Sequence, residues 1–426
     1  MPMIENEEKI TRALLVSVDT GSFDAESSLA ELEELVKSAG AEPVVCVLQK
    51  LPRPESATFV GSGKLEEIRS LCAMQEIDLI VADSELSPTQ IKHIEDYTDV
   101  RVIDRTTLIL DIFALRARSR EGKLQVELAQ LKYLLPRLTG KGVEMSRLGG
   151  GIGTRGPGET KMETDRRHIR RRMETLREEL REVEKHRHML RRRRQKDGVI
   201  TCAIVGYTNA GKSTLMNTLT DAGVLAQDKL FATLDPTSRA LKLPSGVSVM
   251  LIDTVGLVRR LPHHLVEAFR STLEEAAQSD IIINLCDASG EEARMHLDVT
   301  NELLTSLGCG DRPIITVLNK CDLLDRQLMP QEFEACVKIS AKTGEGIDRL
   351  LDAIEKNLPV RMRHVSLLIP FADAGVVSDI RAKGTLISEQ YTAEGVRVEA
   401  VADEALYARL LPYSIERSHH GNDSQY

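Results

Sequence analysis

The residues best placed to do chemistry form one short segment, Gly206-Tyr-Thr-Asn-Ala-Gly-Lys-Ser213, with Thr214 following. An apolar run, Thr201 to Val205, precedes it and a helical pattern, Thr214 to Leu219, follows it. A strand, a glycine loop and a helix in that order make a phosphate cradle. Gly206 and Gly211 let the backbone approach an anion, and the N–H groups of Tyr207, Thr208, Asn209 and Ala210 with the helix N-terminus supply positive potential. Lys212 can reach the β and γ oxygens of a nucleotide, and the Ser213 hydroxyl is a hard ligand suited to Mg²⁺.

A phosphate loop does not choose a base, so the choice falls to Asn319-Lys320-Cys321-Asp322, which follows the apolar run Pro313 to Leu318. A carboxylate at Asp322 can accept from both N1–H and the exocyclic amine of guanine. Adenine has no matching donor pair and would leave the carboxylate unpaired. Ser340-Ala341-Lys342 begins 21 residues after Asn319, behind the predicted strand Ala335 to Ile339, and offers a backbone N–H to guanine O6. The substrate predicted by these segments is GTP.

Asp253-Thr254-Val255-Gly256 ends the predicted strand Val247 to Ile252, and Asp253 lies 41 residues beyond Lys212. Asp253 is expected to hold Mg²⁺ through water, and the Gly256 N–H to meet the γ-phosphate. Within Phe231-Ala-Thr233-Leu-Asp-Pro236, Thr233 is the candidate that closes over the metal, with Thr237 as the alternative. Lys212, Thr233 and Gly256 are thus the expected catalytic groups, and Ser213, Thr233 and Asp253 the expected metal set. After Gly256 stands Leu257, which cannot orient a water as a glutamine would. Slow intrinsic hydrolysis is expected, with the missing group supplied by a partner, another residue or an ion. Asn209 is a candidate to help bind an activating K⁺. Arg259 and Arg260 are expected to be solvated flanks.

These groups need elements to position them, and the chain predicts a multidomain α/β protein. Residues 1–105 alternate β-branched runs with helical stretches, as in a small α/β domain with a parallel sheet. Its segment Gly61-Ser62-Gly63-Lys64 lacks the phosphate-loop spacing and reads as the turn opening a helix over Leu65 to Cys72. Residues 106–197 predict one helix running to about Leu138, a glycine-rich tip over Thr139 to Glu159, and a long charged helix from Thr160 to Gln195. Together they form an antiparallel helical hairpin. Residues 198–360 predict a doubly wound P-loop domain. Residues 361–413 predict a small α+β domain with a helix near Ala374 to Arg381, and 414–426 a disordered tail.

Composition narrows the partners. The chain has 426 residues, 42% of them hydrophobic, and net charge −9. Between Thr160 and Lys196, however, 15 Lys and Arg face 7 Asp and Glu. A basic segment on an acidic protein predicts a polyanionic partner. Lys141, Arg147, Arg155 and the tetrad Arg191, Arg192, Arg193, Arg194 are the candidate RNA contacts. With 3% aromatic residues, base stacking is a minor resource. The seven scattered cysteines read as reduced thiols, and no apolar run approaches the ~20 residues of a membrane helix. A cytoplasmic monomer is the expectation, with peripheral attachment to a membrane surface left open; no DNA partner is expected.

The order GYTNAGKS, FATLDPT, DTVG, NKCD and SAK resembles the translation-factor-related GTPases. The preceding GGGIGTRGPGETKMETDRR resembles the signature of the HflX family, and the likeness runs from the N-terminal domain to near residue 410. That resemblance implies a bacterial GTPase that acts on the large ribosomal subunit and its rRNA and separates ribosomal subunits, particularly under stress. Two other readings stand beside it, an ATP-driven RNA remodeller and a GTP-gated, non-catalytic scaffold.

Overall fold

The computed structural model describes residues 10–138, 161–196, 199–220, 231, 237–259, 276–290, 292–324, 333, 335–359 and 362–415. The chain forms two compact units. The first comprises Met1–Lys185, Gln227–Asp235 and Val255–Thr272, and the second the remainder.

In the first unit, β1 (Arg12–Asp19), β2 (Glu42–Lys50), β3 (Leu79–Ala82) and β4 (Arg101–Asp104) form a parallel sheet in the order β2-β1-β3-β4. β3 and all but the end residues of β1 are buried because helices cover both faces of a parallel sheet. The helices are α1 (Ala25–Ser38), α2 (Ser62–Met74) and α3 (Pro88–Thr98). Asp24 caps α1, and Ser87 and Gln90 form a capping box on α3 with Pro88 in its first turn. Gly61 and Lys64 open α2, where Lys64 pairs with Glu67.

The single helix expected up to Leu138 is two helices. α4 (Arg105–Arg116) follows β4 directly, and α5 (Arg120–Arg137) starts anew after Ala117, whose ψ of 109° is extended. Ser119 accepts from Gly122 N–H at 2.8 Å and caps α5, so a serine at the break outweighs the continuing helical periodicity. α6 (Lys161–Lys196) packs Met173 and Leu176 against Leu124 and Leu128 of α5. Arg120 meets Glu179 and Glu127 meets Arg172, so α5 and α6 run antiparallel, as expected of the hairpin. The Arg172 guanidinium takes both Glu127 oxygens at 2.7 Å, and these bonds hold that carboxyl below its ordinary range.

The second unit carries a six-stranded sheet in the order β10-β9-β8-β5-β7-β6: β5 (Ile200–Gly206), β6 (Thr237–Lys242), β7 (Ser248–Asp253), β8 (Ile281–Asp287), β9 (Ile314–Asn319) and β10 (Val337–Lys338). All pairs are parallel except β6 with β7. Helices α7 (Lys212–Thr220), α8 (Ala293–Ser306) and α9 (Ile347–Lys356) accompany it. A three-stranded antiparallel sheet, β11 (Met362–Ile369), β12 (Thr385–Thr392) and β13 (Gly395–Asp403), follows in the order β11-β13-β12 with α10 (Gly375–Lys383) and α11 (Glu404–Leu410). The disorder expected from Ser414 does not begin there. Ser414 bridges Leu367 and Ile415 N–H donates to Ser366 O at 2.8 Å, because the edge of β11 offers unpaired backbone groups. Residues 416–426 and the tip 139–160 lie outside the described residues.

Candidate nucleotide site

The cradle sits at the carboxyl edge of the larger sheet, between β5 and α7. Two of its glycines are obligatory. A Cβ on Gly206 would lie 2.1 Å from Leu285 O, and Gly211, at φ +92°, would put one 2.3 Å from Asn319 Nδ2. Asn209 also takes positive φ, 61°, which asparagine tolerates better than most residues, and its side chain is exposed. Thr208, Ala210 and Tyr207 are buried, so the loop is fixed from beneath.

Lys212 is 7% exposed, and its ammonium donates to Gly206 O at 3.0 Å and Tyr207 O at 2.8 Å. Burial lowers its pKa to about 8 against an opposing pull from Asp253. Ser213 Oγ donates to Asp253 Oδ2 at 3.0 Å, which brings a hydroxyl and a carboxylate into one place, a donor set chemically suited to a hard divalent cation. Asp253 is 1% exposed, and Thr254 beside it donates to Ile204 O at 2.8 Å, so the strand end is rigid. Thr214 opens α7 and is half-buried.

The Asn319-Lys320-Cys321-Asp322 and Ser340-Ala341-Lys342 segments join this loop through one side chain. Buried Asn319 donates from Nδ2 to Ala210 O at 2.8 Å and accepts at Oδ1 from Ala341 N–H at 2.8 Å. Phosphate loop, Asn319 and the Ser340-Ala341-Lys342 loop therefore share one hydrogen-bonded frame. Thr218 of α7 adds a bond to Ala341 O at 2.6 Å. Asp322 and Lys342 are exposed, and Lys320 takes the left-handed conformation at φ 61°.

Thr233 lies outside the described residues, as do Lys141, Arg147 and Arg155. Thr237, the alternative to Thr233, is the first residue of β6 and pairs in register with Asp253. Val255, Gly256 and Leu257 are buried. Of the arginine tetrad, Arg192 and Arg193 are exposed, whereas Arg191 and Arg194 are half-buried around Val199, Thr201 and Asp280. The four arginines thus differ in exposure, since a helix cannot turn four consecutive side chains to one side.

Several working residues were not foreseen. Asp287, at the end of β8, pairs with Lys320 Nζ at 2.7 Å; burial opposes its charge, but Lys320 and Ser289 hold its carboxyl below the ordinary range. A lone carboxylate closing an apolar strand was the signal that could have exposed it. Arg259 is not a solvated flank. Its side chain is 11% exposed and lies 3.7 Å from Glu31, and its carbonyl accepts from Arg105 at 3.3 Å. Phe231 packs edge-on to Phe113 at 4.6 Å, so α4 touches residues beside both segments that flank the site in sequence. No spacing in the chain announces either contact.

Three family profiles match the chain: "GTP-binding GTPase N-terminal" at residues 26–114, "GTP-binding GTPase Middle Region" at 116–194 and "50S ribosome-binding GTPase" at 201–320. GTPase HflX of Lacrimispora saccharolytica is 50% identical over 96% of this chain and 97% of its own length. GTPase HflX of Escherichia coli K12 is 40% identical over 86% of this chain and 88% of its own. A crystal structure of a GTP-binding protein from Sulfolobus solfataricus in complex with GDP aligns with 82% of this chain and 98% of that one, at 26% identity and TM-score 0.45. With a phosphate loop whose serine bonds Asp253 and whose backbone is tied by Asn319 to the Ser340-Ala341-Lys342 loop, and with identity of this extent over nearly the whole length, the chain belongs to the HflX family of GTPases and is a GTP hydrolase.

Proposed function

We propose that this GTPase binds the large ribosomal subunit through its rRNA and uses GTP binding and hydrolysis to separate or recycle ribosomes, particularly under stress. The observation that carries the reading is the match of residues 201–320 to a profile described as a ribosome-binding GTPase, in a chain whose helix α6 has an exposed face richer in Lys and Arg than in Asp and Glu. Arg192 and Arg193 would neutralise RNA phosphates from that face, and Lys141, Arg147 and Arg155 would do so from the glycine-rich tip. No helix among the described residues is long and apolar enough to cross a membrane. The protein would work as a cytoplasmic monomer.

Ser213 and Asp253 would hold Mg²⁺, with Thr233 joining them. Bound there, the ion would neutralise charge on the β and γ oxygens. Lys212 would turn its ammonium from the loop carbonyls to those oxygens, and the Gly256 N–H would meet the γ-phosphate. Asp322 would accept from guanine, while the Ala341 region would face O6. Leu257 is buried and supplies no hydrogen bond to water, so the orienting group would come from the ribosome or from K⁺ held near Asn209.

The test replaces Lys141 to Gly158 with a short linker and compares GTPase rates with and without large subunits across a salt series. The replaced stretch contains no nucleotide motif, so GTP affinity and slow intrinsic turnover should persist. Ribosome stimulation should fall, and the salt slope of binding should drop by roughly one unit per lost phosphate contact. A variant stimulated as strongly as the parent would overturn the role of the tip.

A further inference from the structure

Tyr207, the second residue of the phosphate loop, is buried, and its ring stacks on that of His296 with centroids 3.9 Å apart and planes 18° from parallel. His296 belongs to none of the nucleotide motifs. It lies on α8 among Ala293, Leu297 and Thr300, all buried, so its position is set by the packing of that helix. We propose that His296 is a positioning residue for the phosphate loop, acting through Tyr207 on the carbonyl that holds Lys212.

The path is short. The Tyr207 carbonyl accepts from Lys212 Nζ at 2.8 Å and from Ala210 N–H at 3.3 Å, so a shift of this one peptide moves both the catalytic ammonium and the N–H row. A flat partner 3.9 Å away fixes the tyrosine ring against tilting, and the ring fixes the peptide. Glu292, one turn earlier on the same side, lies 3.7 Å from His296 Nε2. The same strand and helix reach the base-reading segment: Asp287 ends β8 and pairs with Lys320, and Asn284 of β8 donates to Asn301 of α8 at 3.0 Å. β8 and α8 therefore form a strut with one end under the phosphates and the other at the guanine motif. The loop is held for either nucleotide alike, so His296 sets affinity rather than the chemical step.

The experiment uses the full-length protein with Mg²⁺ and compares His296→Ala, His296→Phe, Tyr207→Leu and the double variant His296→Ala/Tyr207→Leu. Affinity and release of fluorescent GDP and of a non-hydrolysable GTP analogue are measured, with kcat and KM for GTP. The aromatic pair contributes about 0.5–1.5 kcal/mol, so His296→Ala should weaken GDP and the GTP analogue alike by about 2- to 10-fold. KM should rise while kcat at saturation holds. His296→Phe keeps a flat ring and should restore affinity. The double variant should bind no worse than the weaker single variant, since both remove one interaction. Unchanged affinity in His296→Ala overturns the proposal, as do additive losses in the double variant or a His296→Phe as weak as His296→Ala. Should His296→Ala fail to fold, His296→Phe and Tyr207→Leu decide alone: the first must match the parent and the second must lose affinity for both nucleotides.

Discussion

Among the described residues, a wholly parallel sheet and a larger, mostly parallel one both end in charged residues at their carboxyl edges, and of these two edges the larger sheet's is arranged as a ligand site. In open α/β sheets, ligands bind outside the carboxyl ends of the strands, so both edges qualify by topology. At the larger sheet, β5 ends in Gly206 and passes into the phosphate loop, with Asp253, Asp287 and Asn319 ending β7, β8 and β9. At the N-terminal sheet, Asp83 follows β3 and Asp104 ends β4, both fully buried. The chain satisfies these with its own groups. Asp83 takes Arg105 at 2.8 Å and Ser17 at 3.1 Å. Asp104 accepts from Tyr133, Thr107 and Leu86 N–H, and Arg137 forms an ion pair with it at 3.6 Å. Arg105 also binds Glu31, and Arg137 stacks on Tyr133 at 3.4 Å. Burial, with Asp104 adding to it, holds the Tyr133 phenol protonated far above its ordinary range. An edge becomes a binding site when its backbone donors and a cation are held towards an anion, and becomes a structural joint when side chains have already consumed every charge.

The largest expected effect is at the joint. Asp83→Ala leaves the 3%-exposed Arg105 with only part of its counter-charge, and breaking a buried pair costs about 3–5 kcal/mol. Chemical unfolding of the full chain should show an early transition for the first unit. A loss below about 1 kcal/mol would mean that water reaches this edge and that the contrast with the phosphate loop is false.

At the site itself, Lys212→Ala should leave stability nearly intact and cut kcat by roughly 10²–10³, the scale for removing one group that stabilises developing charge. Product formation at saturating GTP measures it. Turnover equal to the parent's would remove this loop from the chemistry, whatever the glycine geometry.

The smallest effect sharpens the comparison by pH. Burial lowers the Lys212 pKa to about 8 from 10.5, and bound phosphate would raise it again by adding negative charge. Below pH 8 the lysine is charged before and after binding and no proton moves. Above pH 8 the free protein loses that proton before the complex does, so binding takes up a proton and affinity falls as pH rises, by up to about tenfold per unit. Calorimetry at pH 9 in two buffers of different ionisation heat should report that uptake. Equal heats would show that Lys212 does not face the phosphates.

The sequence by itself determined the nucleotide motifs, their strand–loop–helix setting and most elements, because each rests on local chemistry. Glycines at Gly206 and Gly211, an apolar run ahead of them and a helix behind require no distant partner to be recognised. The exposed and half-buried members of the Arg191–Arg194 tetrad could be separated only by seeing which side of α6 packs, and the break at Ala117 only by seeing Ser119 act as a cap. Tertiary structure alone decided the contacts between residues far apart in sequence: Tyr207 on His296, Asp287 on Lys320, Arg259 against Glu31 and Phe231 against Phe113. Each joins groups that carry no mutual spacing rule, since a stack or an ion pair between elements depends on where the sheet and its helices bring two side chains, and chain order leaves that undetermined until the cores have packed.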